Sequence, residues 1–223
     1  MNSALAATLW GGLAASSLVI GGALALRFRL PVRLVGLILA FGAGTLISAV
    51  AYELVPDVTV DAAGVAIAMG AGAIAFYLGN DAVSRMGGGK RKDLNADRDA
   101  PSGGSGGAIV LGTILDGIPE SLVLGIGLTV GGAVSVAFLG AVFISNLPEA
   151  IAATVSGLAA GAGYVIASSL GSDGTLIQAF AAGALLTMII DTMAPEAVEQ
   201  AGSKAGLATV LGFAVAAALS GLE

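Results

Sequence analysis

Two short runs near the middle of the chain carry the residues best suited to chemistry. Asp116-Gly117-Ile118-Pro119-Glu120 and Ser145-Asn146-Leu147-Pro148-Glu149 both read polar-x-x-Pro-Glu, and both lie inside long apolar segments. An acidic side chain at the centre of a membrane helix costs about 2.5–3.5 kcal/mol on insertion scales, so Asp116, Glu120 and Glu149 call for a compensating role. Asp116 and Glu120 stand four apart and share a helical face, and Ser145 and Glu149 repeat the relation. Like charges at this spacing repel, and in low dielectric they protonate or recruit a cation. Pro119 and Pro148 cannot donate to the carbonyls of Leu115 and Ile144. Backbone broken at membrane depth is tolerated where it lines a cavity or binds an ion. The two runs together offer carboxylates, an amide, a hydroxyl and carbonyl oxygens, which is the donor set of a cation site. A kink with a neutral glutamate accounts for either run alone. It accounts less well for two matched copies, one with a second carboxylate a turn away.

The elements that must position these residues are membrane helices. Of 223 residues, 57% are hydrophobic and 11% charged, and the mean hydropathy is +0.97. This excludes an ordinary soluble domain. The 35 glycines suit helices that pack by close backbone approach. The absence of cysteine excludes disulfides and thiolate metal sites, and the absence of histidine removes the usual imidazole ligand. The net charge of −6 gives no reason to expect a nucleic-acid partner.

Residues 1–223 read as a single all-α transmembrane domain of about eight spans. The first covers Ala4 to Leu26. It lacks a positive leading region and is too long for a signal peptide core, so it is expected to be retained. The second covers Leu34 to Val55 and the third Ala62 to Val83, with Asp81 and Arg85 spaced for an ion pair. Residues 86–107 are Gly-, Ser- and charge-rich and read as a flexible cytoplasmic loop. Ala108 to Val130 is the fourth span and holds the first motif; the fifth begins near Ala133 and holds the second. Ala133 to Gly171 is barely long enough for two spans of about 17–20 residues each, so the sixth is expected to be short. Leu176 to Val198 and Ala205 to Leu222 are the last two. With the N-terminus outside, all nine Lys and Arg fall on the cytoplasmic side, as the positive-inside rule expects.

The paired motifs resemble those of the ZIP (Zrt/Irt-like) family of divalent metal transporters, usually His-Asn-x-Pro-Glu on the fourth and fifth membrane helices. The resemblance implies a carrier in the cell (inner) membrane that moves a divalent metal toward the cytoplasm by alternating access. It also implies inverted repeats around the central helix pair, and a homodimer. Asp116 stands where the family has its first histidine, Ser145 where it has the second, and Gly117 in place of an asparagine that Asn146 keeps. Glu120 and Glu149 match the family's ligands. The implied shell is oxygen-only; carboxylate, carbonyl and water suit Mn²⁺, Mg²⁺ and Ca²⁺ and leave Fe²⁺ open, while zinc prefers nitrogen and sulfur. No cofactor is implied beyond the transported zinc, manganese or iron. The family's histidine-rich loop is absent, and no acid lies between Glu149 and Asp173 to bridge a second metal.

Glu53, Asp57, Asp191 and Glu196 flank the prolines that end the second and seventh spans, where relatives carry polar residues. Glu53 and Asp191 read equally as pathway residues or as helix-end acids. Asp57 and Glu196 read as acids at the membrane interface. Two rival functions use the same residues: a metal-binding membrane protein that does not transport, and an intramembrane aspartyl protease built on Asp116 and Asp191. The protease lacks the Gly-x-Gly-Asp signature. The span map predicts that single cysteines at Ser102 and Asp173 label from opposite faces of the membrane, Ser102 from the cytoplasm; impermeant thiol reagents on sealed vesicles check this.

Overall fold

Alternating runs of small and branched apolar residues leave the backbone only its own hydrogen bonds in lipid, and the chain answers with helices. The computed structural model describes residues 31–55, 62–85 and 175–221, with single positions between 5 and 20 and between 116 and 143. Helix α1 covers Val32–Ala49 and runs into a π-turn at Val50–Leu54. Helix α2 covers Ala62–Arg85. Helix α3, Thr175–Met188, passes through a second π-turn at Ile189–Met193 into α4, Ala194–Ala201. Helix α5 covers Lys204–Ser220. Among the described residues there is no strand. Val32–Leu54, Ala62–Arg85 and Thr175–Ala201 are each long and apolar enough to cross a membrane. These helices coincide with the second, third, seventh and eighth expected spans to within a few residues. The first, fourth, fifth and sixth lie largely outside the described residues, as does the 86–107 loop.

Packing pairs α1 with α5 and α2 with α3, and α1 also lies along α4. Both pairs cross where glycine meets carbonyl. A Cβ on Gly44 would run into the Thr209 carbonyl, and one on Gly212 into that of Phe41. In the other pair, Gly72 faces the Phe180 carbonyl and Gly183 that of Met69. Each helix thus presents a glycine to its partner's backbone, the contact that small residues make available in lipid.

The two crossings are copies of one unit. Phe41, Gly44, Leu46 and Pro56 recur as Phe180, Gly183, Leu185 and Pro195. The π-turn at Val50–Leu54 recurs at Ile189–Met193 in the same register. On the partner helices Gly72 matches Gly212, and the buried Val65 and Phe76 match the buried Ala205 and Ala216. Gly36, near the start of α1, meets Gln200 and Ala201 at the end of α4, while Glu53, past the end of α1, meets Ser220 at the end of α5. So α5 runs parallel to α1, and α3–α4 runs against it. Helix α2 starts a short link after α1 ends and returns alongside α3. The repeat is inverted, and the described basic residues Arg33, Arg85 and Lys204 share one end of the bundle.

One motif has two outcomes. Val55 precedes Pro56 with extended backbone, φ −79° and ψ 109°, and the helix stops, as the steric demand of the proline ring favours. Ala194 precedes Pro195 in helical geometry, φ −65° and ψ −45°, and the chain continues into α4. In both copies the N–H after the π-turn reaches back five residues, Val55 to Val50 and Ala194 to Ile189. That wider turn relieves the usual clash of proline with the preceding turn. The α4–α5 turn uses Gly202 at φ 64°, a region where glycine meets no Cβ penalty.

The crossings predict a sharp positional contrast. Gly72→Leu should destabilise the detergent-solubilised protein by about 1–3 kcal/mol or more. Gly70→Leu, where a Cβ meets nothing within 4 Å, should leave it near wild type. Thermal unfolding followed by circular dichroism measures both.

Candidate functional site

Asp116 and Glu120 are 2% and 3% exposed, and both are helical, with Gly117 between them also buried. These three residues of the first motif therefore lie in the protein interior. Asp116 and Glu120 each take part in an interaction within the fold. Ser145, Asn146 and Glu149, the second motif, lie outside the described residues. Among the described residues no three acidic side chains gather into a group suited to a metal.

The π-turns position the other candidates. Glu53 sits half-buried on the first, and its Oε1 accepts a hydrogen bond from Ser220 Oγ at 2.9 Å. Tyr52 beside it tilts against Phe213 with ring centroids 6.1 Å apart. Glu53 is thereby fastened to the last turn of α5 rather than left loose at a helix end. Asp191 sits on the second π-turn and is exposed, while the neighbouring Thr192 donates to the Met188 carbonyl at 2.7 Å. In the repeat Asp191 corresponds to Tyr52 and Thr192 to Glu53, so the two acids lie on different faces of equivalent turns. Asp57 is outside the described residues.

Glu196 lies in the first turn of α4. It is half-buried, and its Oε1 accepts a hydrogen bond from Gln200 Nε2 at 2.8 Å. Gln200 is itself 8% exposed, pressed against Gly36, and close helix contact at that glycine draws the pair inward. Asp81 and Arg85 form the ion pair their spacing predicts, Nε to Oδ2 at 2.8 Å. Its exposure keeps its contribution small.

Three polar residues were not singled out by the sequence reading. Ser220 carries no local signal, because its partner Glu53 is remote in sequence. Gln200 has one, since it stands four residues after Glu196 on the same face. Ser48 is fully buried with no hydrogen-bond partner at Oγ, whereas its counterpart Thr187 donates to the Gly183 carbonyl at 2.9 Å. Only comparison of the two repeat copies exposes that difference.

A double-mutant cycle on Glu53→Ala and Ser220→Ala should return a coupling of about 0.6 kcal/mol, typical of hydrogen bonds between membrane helices, measured by reversible unfolding in detergent micelles. Comparison with protein-family models and with curated proteins gives no match.

Proposed function

We propose that the protein is a membrane carrier for a divalent metal ion, with Asp116, Glu120, Ser145, Asn146 and Glu149 as its ligands. One observation carries the reading: two carboxylates a helical turn apart are almost wholly buried in a chain of very high hydropathy. A dication is the partner that offsets two such charges in a dry interior. The inverted helix pairs support it, because carriers with inverted repeats hold their cargo near the midplane and expose it to each side in turn. The likeness of the paired Pro-Glu motifs to ZIP transporters supports the same reading and supplies the direction, toward the cytoplasm of a cell (inner) membrane with the N-terminus outside. Glu120 and Glu149 bind the metal as carboxylates, Asp116 adds charge, and Ser145 and Asn146 complete an oxygen shell. Glu53 and Asp191 line the route, and two copies of the chain form the assembly. Binding weakens in acid, since each carboxylate must lose its proton to ligate.

Reconstituted vesicles carrying an internal metal indicator test this directly. Wild type should take up Mn²⁺, Fe²⁺ or Zn²⁺, while Glu120→Gln and Glu149→Gln abolish uptake; calorimetric binding without uptake by wild type would mean a non-transporting metal protein. Asp116→His combined with Ser145→His should raise the Zn²⁺/Mn²⁺ affinity ratio at least about tenfold, or roughly 1.4 kcal/mol, because zinc gains more from nitrogen than manganese does. An unchanged ratio would remove Asp116 and Ser145 from the ligand set.

A further inference from the structure

On the outer side of the α1–α5 pair, a groove of about 600 Å³ opens between Leu37, Ile38 and Phe41 of α1 and Leu207, Ala208 and Leu211 of α5. Its volume lies in the range of about 300–1,000 Å³ typical of small-molecule sites. Every one of these side chains is apolar, and Lys204 completes the lining at the groove's end. Lys204 is exposed and forms no ion pair among the described residues. It shares its end of the bundle with Arg33 and Arg85, at the end of the groove where the apolar walls give out.

We propose that this groove binds an anionic phospholipid, with an acyl chain along α1 and α5 and the headgroup phosphate on Lys204. Lipid tails are as apolar as leucine, so the groove walls alone favour no particular lipid over the bulk bilayer. Selection falls to the headgroup, and the group that meets it is a cation. The inverted repeat supplies an internal control. The position equivalent to Lys204 on α2 is Gly64, while Phe41 has its counterpart in Phe180 and Leu207 in Ile67. The apolar character is thus kept in both copies, and the positive charge appears in one, at the end where the other basic residues gather. A juxtamembrane lysine near an anionic surface contributes about a fivefold gain in binding.

Native mass spectrometry of the full chain released from mild detergent, with phosphatidylglycerol or phosphatidylcholine of matched acyl chains, tests the assignment. Phosphatidylglycerol should bind about fivefold more tightly. Lys204→Gln should erase that preference, while Arg85→Gln, which removes the charge already paired with Asp81, should keep it. Ala208→Phe should lower occupancy by both lipids by filling the groove. Equal binding of the two lipids by wild type, or a preference that survives Lys204→Gln, would overturn the proposal. So would an Ala208→Phe variant that turns dimer into monomer with unchanged lipid occupancy, which would make the groove a contact between two copies of the chain. Lys204→Gln alters an exposed side chain with no ion-pair partner among the described residues, so its result stands even if Ala208→Phe does not fold.

Discussion

Direct contact between helix backbones, glycine against carbonyl, is the constraint on which the rest of the bundle depends. In lipid, burying leucine against leucine gains little over leaving it among acyl chains, so association rests on dispersion, helix-to-helix hydrogen bonds and close fit. Gly44 against Thr209 and Gly212 against Phe41 bring α1 and α5 together; Gly72 against Phe180 and Gly183 against Met69 do the same for α2 and α3. Contacts this short bring Cα–H groups toward carbonyl oxygens, each adding a small attraction. The large side chains are displaced to the flanks. Ile67, Ile74, Leu207 and Val210 are exposed, and Leu39, Leu46, Leu185 and Met188 fill the interior.

The two inverted copies agree where the crossing needs them to and differ at polar positions. The glycines, the phenylalanines before them and the π-turns are retained in both. Glu53 stands where the other copy has Thr192, Ser48 where it has Thr187, and Lys204 where it has Gly64. Even the shared proline behaves differently, ending one helix and letting the other proceed. π-Turns are frequent at functional sites because they re-aim side chains without ending the helix. Here they orient Glu53 toward α5 and leave Asp191 exposed.

Hydropathy made the helices legible, because a run of apolar residues long enough to span has few other structures open to it in lipid. Local spacing made the Asp81–Arg85 pair legible; it placed Asp116 and Glu120 on one helical face, and both are buried. The packing was not legible. Four glycines among 35 make the crossings, and nothing local separates them from Gly70 or Gly206, which face open space. The Ser220–Glu53 bond joins distant residues and leaves no periodic trace. The Glu196–Gln200 hydrogen bond follows their spacing, but the tight approach of Gly36 to Gln200 is a tertiary fact. The repeat itself was written in the sequence, at Phe41 to Pro56 and Phe180 to Pro195, but its copies share small residues common throughout the chain. It becomes plain once the π-turns align them.

The pairing of α1 with α5 and α2 with α3 also governs how the protein is made. Chains fold from the N-terminal side as synthesis proceeds, so α1 and α2 enter the bilayer long before either has its partner. Through that interval the glycine surfaces of Gly44 and Gly72 face lipid or whatever helix passes by. Among the described residues, the carbonyls these two glycines meet both belong to residues 175–221. These two crossings therefore close late, and a ribosome that stalls before α3 leaves α1 and α2 in the bilayer without the helices they cross in the described bundle, exposed to membrane quality control.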